Sequence, residues 1–460
     1  MTREEFTLFN PWWQYKEAIN YDATLMELSL QKYQYYHPLF FKFPKKEDVI
    51  LTLRGPRQVG KSTFIKLLIK ELLLHDSISP LNIFFYPADR VKDYNELFNL
   101  ILDYLTILRG ENEKRAYIFI DEISIVKEWQ RAIKQLADLG RFRNATLLLT
   151  GSNALDLLKS SELLPGRKGK YILPEIDFLP LSFKEFVELI KPEWRQKSSN
   201  FYQFNLNKLH KLFLDYLVTG GFPKSINEYF ATNTLLPSTF KTYESWVVGD
   251  LLKIGKNEET AINILKRLFL HLTSTFSFYT LAEKGGISSH MTVVDYLDAL
   301  EKMFVVFKLP YFSLAERKSY PQKNKKAYFY DPLIYNTFRA VAESYLDAAI
   351  NYIRQNIVVE VNLPLLVENA VAVYLKQKFQ KLYFGRLGDK EVDFLTFHKG
   401  KYHFFEVKYQ DKVAFADFSF WLRTFPKQKL TIVTKNFLYQ KKTLQFVPLE
   451  LFLLEYETVA

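Results

Sequence analysis

The stretch Val49 to Thr63, VILTLRGPRQVGKST, is an apolar run that breaks into a glycine-containing turn and then resumes as a helical pattern. Gly55, Gly60, Lys61 and Ser62 stand in it in the order G-x-x-x-x-G-K-S, the pattern of a phosphate-binding loop. Glycines let successive backbone N–H groups curl round an anion with no Cβ in the way. Val49, Ile50, Leu51 and Leu53 predict a buried strand before the turn. Phe64, Ile65, Leu67, Leu68 and Leu72 predict the packing face of a helix over Ser62 to Leu74, whose positive N-terminal end faces the same anion. Gly55, Pro56, Arg57, Gln58, Val59, Gly60, Lys61, Ser62 and Thr63 are therefore expected to line a nucleotide. Lys61 would reach the β- and γ-phosphates, and the Ser62 hydroxyl would hold Mg²⁺.

From 46 to about 185 strands and helices alternate, as in a parallel α/β sheet. Asn82 to Tyr86 reads as a strand and Glu96 to Leu108 as a helix. Tyr117 to Ile120 is an apolar strand ending in Asp121 and Glu122. A carboxylate at that end suits the Mg²⁺ shell, and the next can polarise an attacking water. A third strand, Thr146 to Leu149, ends in Thr150, Gly151, Ser152 and Asn153, where Asn153 is the candidate to sense the γ-phosphate or orient water. Arg167, before a strand at Tyr171 to Leu173, is the candidate cation for the transferring phosphoryl, in cis or toward a neighbouring subunit. As a lone arginine in a Pro-Gly turn it is equally readable as solvated.

RGPRQVGKST, YIFIDEI, LLLTGSN, LPGRKGKY and FLPLSFKEF together resemble the archaeal-type P-loop ATPases of the AAA+ and related ATP-switch class. The later stretches LVTGGFPKSI and KKAYFYDPLIYNTF resemble the regions that follow in those proteins. The resemblance covers most of the chain and implies an ATP-preferring, Mg²⁺-dependent core.

Size and composition set the frame around that core. A chain of 460 residues with 48% hydrophobic content has room for about three or four folded domains. The absence of Cys excludes disulfides, thiolate metal sites and cysteine nucleophiles. Met1 to Phe6 runs straight into acidic residues without a signal-peptide pattern, and no stretch of about 18 uncharged apolar residues occurs. The expectation is a cytoplasmic protein with no membrane partner. The net charge of +11 favours an anionic partner beyond the nucleotide.

Five segments are expected: an N-terminal arm (1–45), the P-loop core (46–185), a helical lid (186–255), a winged helix (256–340) and a C-terminal α/β domain (341–460). In the arm, Trp12 and Trp13 are expected to pack against a neighbour rather than to stack on a base. Gly220, Gly221, Phe222 and Pro223 mark the main break in the lid. The winged pattern has helices at Ile262 to Leu272, Tyr279 to Lys284 and His290 to Met303, then strands at Phe304 to Leu309 and Ala327 to Tyr330. Asp295, Asp298 and Glu301 stay outward on the third helix, which argues against base reading in a groove walled by phosphates. The expected loop from Glu316 to Lys326 carries Arg317, Lys318, Lys323, Lys325 and Lys326, and reads equally as a phosphate contact or a solvated loop.

The last segment holds a second constellation. Glu368 lies on a helix (Leu365 to Phe379), Asp393 follows the strand Leu382 to Phe384, and Glu406-Val407-Lys408 ends the next strand. Asp393 precedes Glu406 by thirteen residues, which suits two antiparallel strands joined at Lys399-Gly400. Both carboxylates and Lys408 then converge at one end, with the Val407 carbonyl as a further oxygen ligand for Mg²⁺. This order resembles the restriction-endonuclease-like fold. The resemblance makes Glu368 the helical acid, Asp393 and Glu406 the metal ligands and Lys408 the lysine, with Val392 where a proline is often found. Charged residues at a strand edge are common, and such a site can also be kept for binding alone. From Gln380 to Lys442 there are thirteen Lys/Arg and six Asp/Glu, which places +7 of the +11 in this window and suits a phosphodiester partner.

The combined reading is a Mg²⁺-dependent ATPase coupled to DNA binding, with DNA cleavage by the C-terminal domain as a second activity. The alternative is an ATP-driven switch whose inactive C-terminal domain docks proteins or DNA. A homo-oligomer is compatible with both.

Overall fold

The buried strand ahead of the phosphate loop is β1, Val49–Arg54, and it forms the centre of a five-stranded sheet. The structure is a computed structural model that describes residues 3–108, 114–152, 175–345, 350–351, 353–354, 362–398 and 400–455. The chain divides into two units, Met1–Leu179 and Pro180–Ala460.

In the first unit β2 (Ile83–Pro87), β3 (Ala116–Asp121), β4 (Ala145–Gly151) and β5 (Glu175–Asp177) join β1 in the order β2-β3-β4-β1-β5. Every pairing is parallel, with Leu51 opposite Leu148 and Phe119 opposite the same Leu148. The apolar runs of β1, β3 and β4 are buried on both faces, as a sheet covered by helices requires. Because β4 lies between β1 and β3, the C-terminal ends of the three motif-bearing strands are neighbours. Helix α1, Lys61–Leu74, leaves the loop after β1, beginning one residue earlier than the apolar pattern predicts. Helix α2 occupies Tyr94–Asp103, N-capped by Asp93, and a π-helical turn continues it over Tyr104–Leu108.

The N-terminal arm closes the β2 edge. Asn10 accepts from the Phe85 N–H at 2.7 Å and donates to the Phe85 carbonyl at 3.0 Å, as another strand would. Trp12 and Trp13 both donate through Nε1 to the Ile83 carbonyl. The tryptophans are thus packing residues, and they remove an exposed strand edge. Asn153, Arg167 and the expected strand at Tyr171 to Leu173 lie outside the described residues.

The second unit begins with helices, among them α3 (Leu206–Thr219) and α4 (Pro223–Thr232), separated by the predicted Gly220-Gly221 break. Gly220 has φ +60°, and a Cβ there would lie 2.0 Å from Asp331 Oδ1. Gly221 donates to Asp331 Oδ2 at 2.8 Å, and its carbonyl accepts from Leu181 at 2.8 Å. Helices α5 (Glu258–Leu270), α6 (Phe278–Lys284) and α7 (His290–Lys302) follow close to the predicted positions. Next come strands β6 (Val306–Ser313) and β7 (Lys318–Phe329).

The hairpin continues into a larger sheet. β6 pairs in parallel with β8 (Tyr383–Leu387), through Tyr311 opposite Phe384. β9 (Lys390–His398), β10 (Lys401–Lys408), β11 (Lys429–Thr434), β12 (Tyr439–Lys441) and β13 (Leu444–Pro448) complete the order β12-β13-β11-β10-β9-β8-β6-β7. The boundary expected near residue 340 therefore crosses a continuous sheet. The segment expected as a loop from Glu316 to Lys326 is corrected by the extent of β7. Only its first two residues lie in the turn, and the rest is strand β7. Helices α8 (Pro332–Ala342) and α9 (Asn362–Lys378) pack in this unit, and Asn369 of α9 brackets the Phe329 backbone of edge strand β7 as Asn10 brackets Phe85.

Candidate functional site

Two clusters of charged side chains form, one in each unit. In the first, Gly60 supplies φ +100° at the turn into α1, and the non-glycine Gln58 also sits at φ +63°. Gly55 is required for a different reason than anion approach: a Cβ there would lie 2.0 Å from the Phe178 carbonyl oxygen. Lys61 is buried and donates through Nζ to the carbonyls of Gly55 and Pro56, at 2.9 and 2.8 Å, so it spans the loop it belongs to.

The Ser62 hydroxyl donates to Asp121 Oδ2 at 2.6 Å. Asp121 Oδ1 accepts from the Thr150 hydroxyl, which in turn accepts from the Glu122 N–H at 3.1 Å. Glu122 has left-handed backbone, φ +53°, which turns its side chain off the strand direction of Asp121. Its Oε2 accepts from the Ser152 hydroxyl at 3.1 Å. Ser62 Oγ and Asp121 Oδ2 are adjacent hard oxygens at a helix N-terminus, a donor pair that fits one side of a Mg²⁺ shell. The β4 end lies where it was expected between the other motifs. Thr150 and Ser152 are the residues seen to act there, and Asn153 is outside the described residues.

In the second unit β9 and β10 are antiparallel, with Phe394 opposite Phe405, so Asp393 and Glu406 come together. The Asp393 N–H donates to Glu406 Oε2 at 3.2 Å, and the Val407 N–H to Asp393 Oδ2 at 2.9 Å. Lys408 Nζ donates to Glu406 Oε1 at 2.8 Å. Glu368, from α9, accepts from the buried Tyr328 hydroxyl at 2.8 Å. Burial first, and the Asp393 charge second, push Glu368 up to about 8 against the pull of Lys326 and Tyr328. Glu406 is raised by the same two causes.

The sequence reading missed Lys326. It stands on β7 two residues before Tyr328, on the same strand face, and its side chain is 3% exposed. Its Nζ lies 3.0 Å from Glu391 Oε1, 3.3 Å from Asp393 Oδ1 and 3.6 Å from Glu368 Oε1. Burial pulls the lysine down, but the charges of Asp393, Glu368 and Glu391 outweigh it and hold the ammonium protonated. The signal lay in KKAYFYD, where Lys326 and Tyr328 alternate inward, but the run of lysines read as a solvated loop. An ammonium seated among these carboxylates competes with a divalent ion for the same oxygens, and at about 4 Å it would oppose their attraction by roughly 8 kcal/mol at an effective dielectric near 20. Among the described residues no group of three acidic, His or Cys side chains is arranged to hold a metal ion. Glu368, Asp393 and Glu406 do not fit Mg²⁺ with Lys326 in place.

The acids on α7 are occupied. Asp295 pairs with Lys256, and Asp298 and Glu301 both pair with Lys308. They fasten the helix to its own unit. Of the basic residues expected on a loop, Lys323 lies over the Tyr320 ring at 4.2 Å and Lys325 over the Phe278 ring at 4.2 Å.

Residues 47–187 match the family model of an AAA domain. Residues 210–345 and 365–452 match two further models, each described as a domain of unknown function. The chain is 27% identical over 367 residues to an uncharacterized protein of Haemophilus influenzae, covering 76% of this chain and 80% of that one. It is 26% identical over 369 residues to the uncharacterized protein MJ1544 of Methanocaldococcus jannaschii, covering 78% and 74%. Among solved structures, the Walker-type ATPase PABY2304 of Pyrococcus abyssi aligns at 16% identity and a TM-score of 0.41, over 63% of this chain and 90% of that one. Cdc6p of Pyrobaculum aerophilum aligns at 13% identity and a TM-score of 0.27, over 66% and 87%. The first unit carries a P-loop domain of the ATPase type, built on a parallel sheet. Among the described residues no helix is long and apolar enough to cross a membrane.

Proposed function

We propose that this chain is a Mg²⁺-dependent ATPase whose second unit binds DNA without cutting it, so that nucleotide turnover works as a switch. The observation that carries the ATPase reading is the Asp121 carboxylate, engaged by Ser62 on one oxygen and Thr150 on the other. When bound, Mg²⁺ would neutralise phosphate charge beside Ser62 and Asp121. Lys61 would exchange its loop carbonyls for phosphate oxygens. Glu122, held by Ser152, would accept the proton of the attacking water. Asn153 and Arg167 remain candidates for γ-phosphate contacts, and a homo-oligomer would allow Arg167 to act on a neighbour.

DNA as the partner is supported by the basic window from Gln380 to Lys442, and a non-cleaving second unit by Lys326 among the carboxylates. The test is ATP turnover of the full chain with and without duplex and single-stranded DNA. A chain that hydrolyses ATP at a rate indifferent to any DNA, and retains none on a filter, would refute the coupling.

The second reading is an active nuclease, favoured by the convergence of Asp393, Glu406 and Lys408 at one end of paired strands. Nicking of supercoiled plasmid in Mg²⁺ or Mn²⁺, lost in Asp393→Ala, would establish it over the first.

A further inference from the structure

We propose that the ammonium of Lys326 is the resident cation of the second unit's carboxylate cluster, holding the place between Asp393, Glu368 and Glu391 and keeping a divalent ion out. This deepens the non-cleaving reading and is independent of what the P-loop does.

Three features carry it. The first is distance. Nζ stands 3.0, 3.3 and 3.6 Å from three carboxylate oxygens, a spacing that suits an ammonium and is far wider than the ~2.0–2.1 Å of a Mg²⁺ shell. A metal at that point would have to draw in three side chains by about 1 Å or more each. The second is confinement. The Lys326 side chain is 3% exposed, and Tyr328, next on the same strand face, donates to the Glu368 oxygen that faces Nζ. The ammonium therefore cannot leave without uncovering partly buried carboxyl groups. The third is how the remaining oxygens are used. Glu391 Oε2 is held by the Arg386 guanidinium, with Nη2 at 2.6 Å and Nε at 2.7 Å. Glu406 is held by Lys408 and by the Asp393 N–H, and Asp393 Oδ2 by the Val407 N–H. Four carboxyl groups meet three cations, and the backbone N–H groups of Asp393 and Val407 supply the rest.

Such a cluster does the work of a metal site without a metal: it ties β7, β9, β10 and α9 together. Lysine also supplies what a divalent ion cannot, since it is covalently part of β7 and fixes which strand joins the cluster.

The test is Mn²⁺ binding to the full chain in the absence of nucleotide, followed by electron paramagnetic resonance and by calorimetry. The variants are wild type, Asp393→Asn, Lys326→Met and Lys326→Met with Asp393→Asn. Wild type and Asp393→Asn should bind Mn²⁺ alike, with no Asp393-dependent ion. Lys326→Met should gain one Mn²⁺ per chain, and the double variant should lose it. Mn²⁺ should raise the melting temperature of Lys326→Met and leave that of wild type unmoved. A Mn²⁺ ion bound by wild type and lost in Asp393→Asn overturns the proposal, as does a folded Lys326→Met that gains none. If Lys326→Met does not fold, Lys326→Gln takes its place, and the comparison of wild type with Asp393→Asn needs neither. ATP turnover is a separate readout, so a failed ATPase reading would not be mistaken for a failure here.

Discussion

Ser62 and Asp121, fifty-nine residues apart, meet through a 2.6 Å hydrogen bond from the serine hydroxyl to Oδ2. The contact joins the first turn of α1 to the end of β3, with β4 lying between β3 and the β1 strand that leads into α1.

Glu122→Gln should keep nucleotide binding and lower ATP turnover by roughly 100-fold or more, since only the proton-accepting charge is removed. Lys61→Ala should weaken binding as well, through loss of the cation beside the phosphates. Steady-state phosphate release and fluorescent-nucleotide titration separate the two effects. Undiminished turnover in Glu122→Gln would take that residue out of the mechanism.

Asn10→Ala should destabilise the first unit by about 1–3 kcal/mol, because it strips the partners from both backbone groups of Phe85 on the β2 edge. Trp12 is fully buried, and Trp12→Ala should cost about 3–5 kcal/mol. Denaturant unfolding of the full chain, with the first unit's transition identified by nucleotide, checks both.

Asp331 gives the second unit a pH dependence. Burial pushes its carboxyl up to about 7 against the pull of the Gly221 and Leu333 N–H groups. A carboxyl raised in the folded state binds its proton more tightly there than in the unfolded chain. Stability from this group is therefore full below about pH 4 and declines as pH rises toward 7, by up to about 4 kcal/mol. Glu368 acts in the same sense up to about 8. Melting curves at pH 5 and pH 8 should differ less in Asp331→Asn than in wild type, although the variant is less stable at both. An equal difference in both proteins would locate the effect elsewhere.

If the second unit binds DNA as proposed, affinity should fall steeply with salt and depend little on sequence, because exposed lysines and arginines of the C-terminal strands would carry it. Arg317 and Lys318, at the β6–β7 turn, are exposed and would add to such binding, whereas Lys326 is buried and should not change the salt slope when replaced. Binding measured between about 50 and 200 mM salt decides it. A salt-insensitive, strongly sequence-selective complex would return attention to α7.

Gly220→Ala should be among the most damaging single substitutions in the second unit. Its added Cβ meets Asp331 Oδ1 at 2.0 Å and Leu333 Cβ at 2.8 Å, on a backbone that already favours glycine. Soluble expression and thermal melting against Gly249→Ala, where a Cβ has open space, provide the comparison.

The sequence by itself determined the first unit. The P-loop, the strand ending in Asp121-Glu122 and the strand ending in Thr150 are local patterns, since a run of apolar residues closed by a charged one needs no distant partner to be recognised. β-strand register then did the same for Asp393 and Glu406, because a short turn fixes which residues face each other. What only the tertiary structure decided is what lies opposite each motif. LVTGGFPKSI and KKAYFYDPLIYNTF look like loosely related segments in the chain. In the fold, Gly221 bonds Asp331, and the Asn336 side chain donates to the Leu217 carbonyl. Lys326 is the sharper case. Of the five basic residues from Arg317 to Lys326 both Lys325 and Lys326 are buried, and nothing in composition marks Lys326 as the one that meets carboxylates. Its burial accompanies the pairing of β6 with both β7 and β8, with Lys326 facing Glu368 of α9 and Glu391 and Asp393 of β9. Strand order in a mixed sheet is set by the packing of the whole, and it placed a lysine where the sequence alone had suggested a metal.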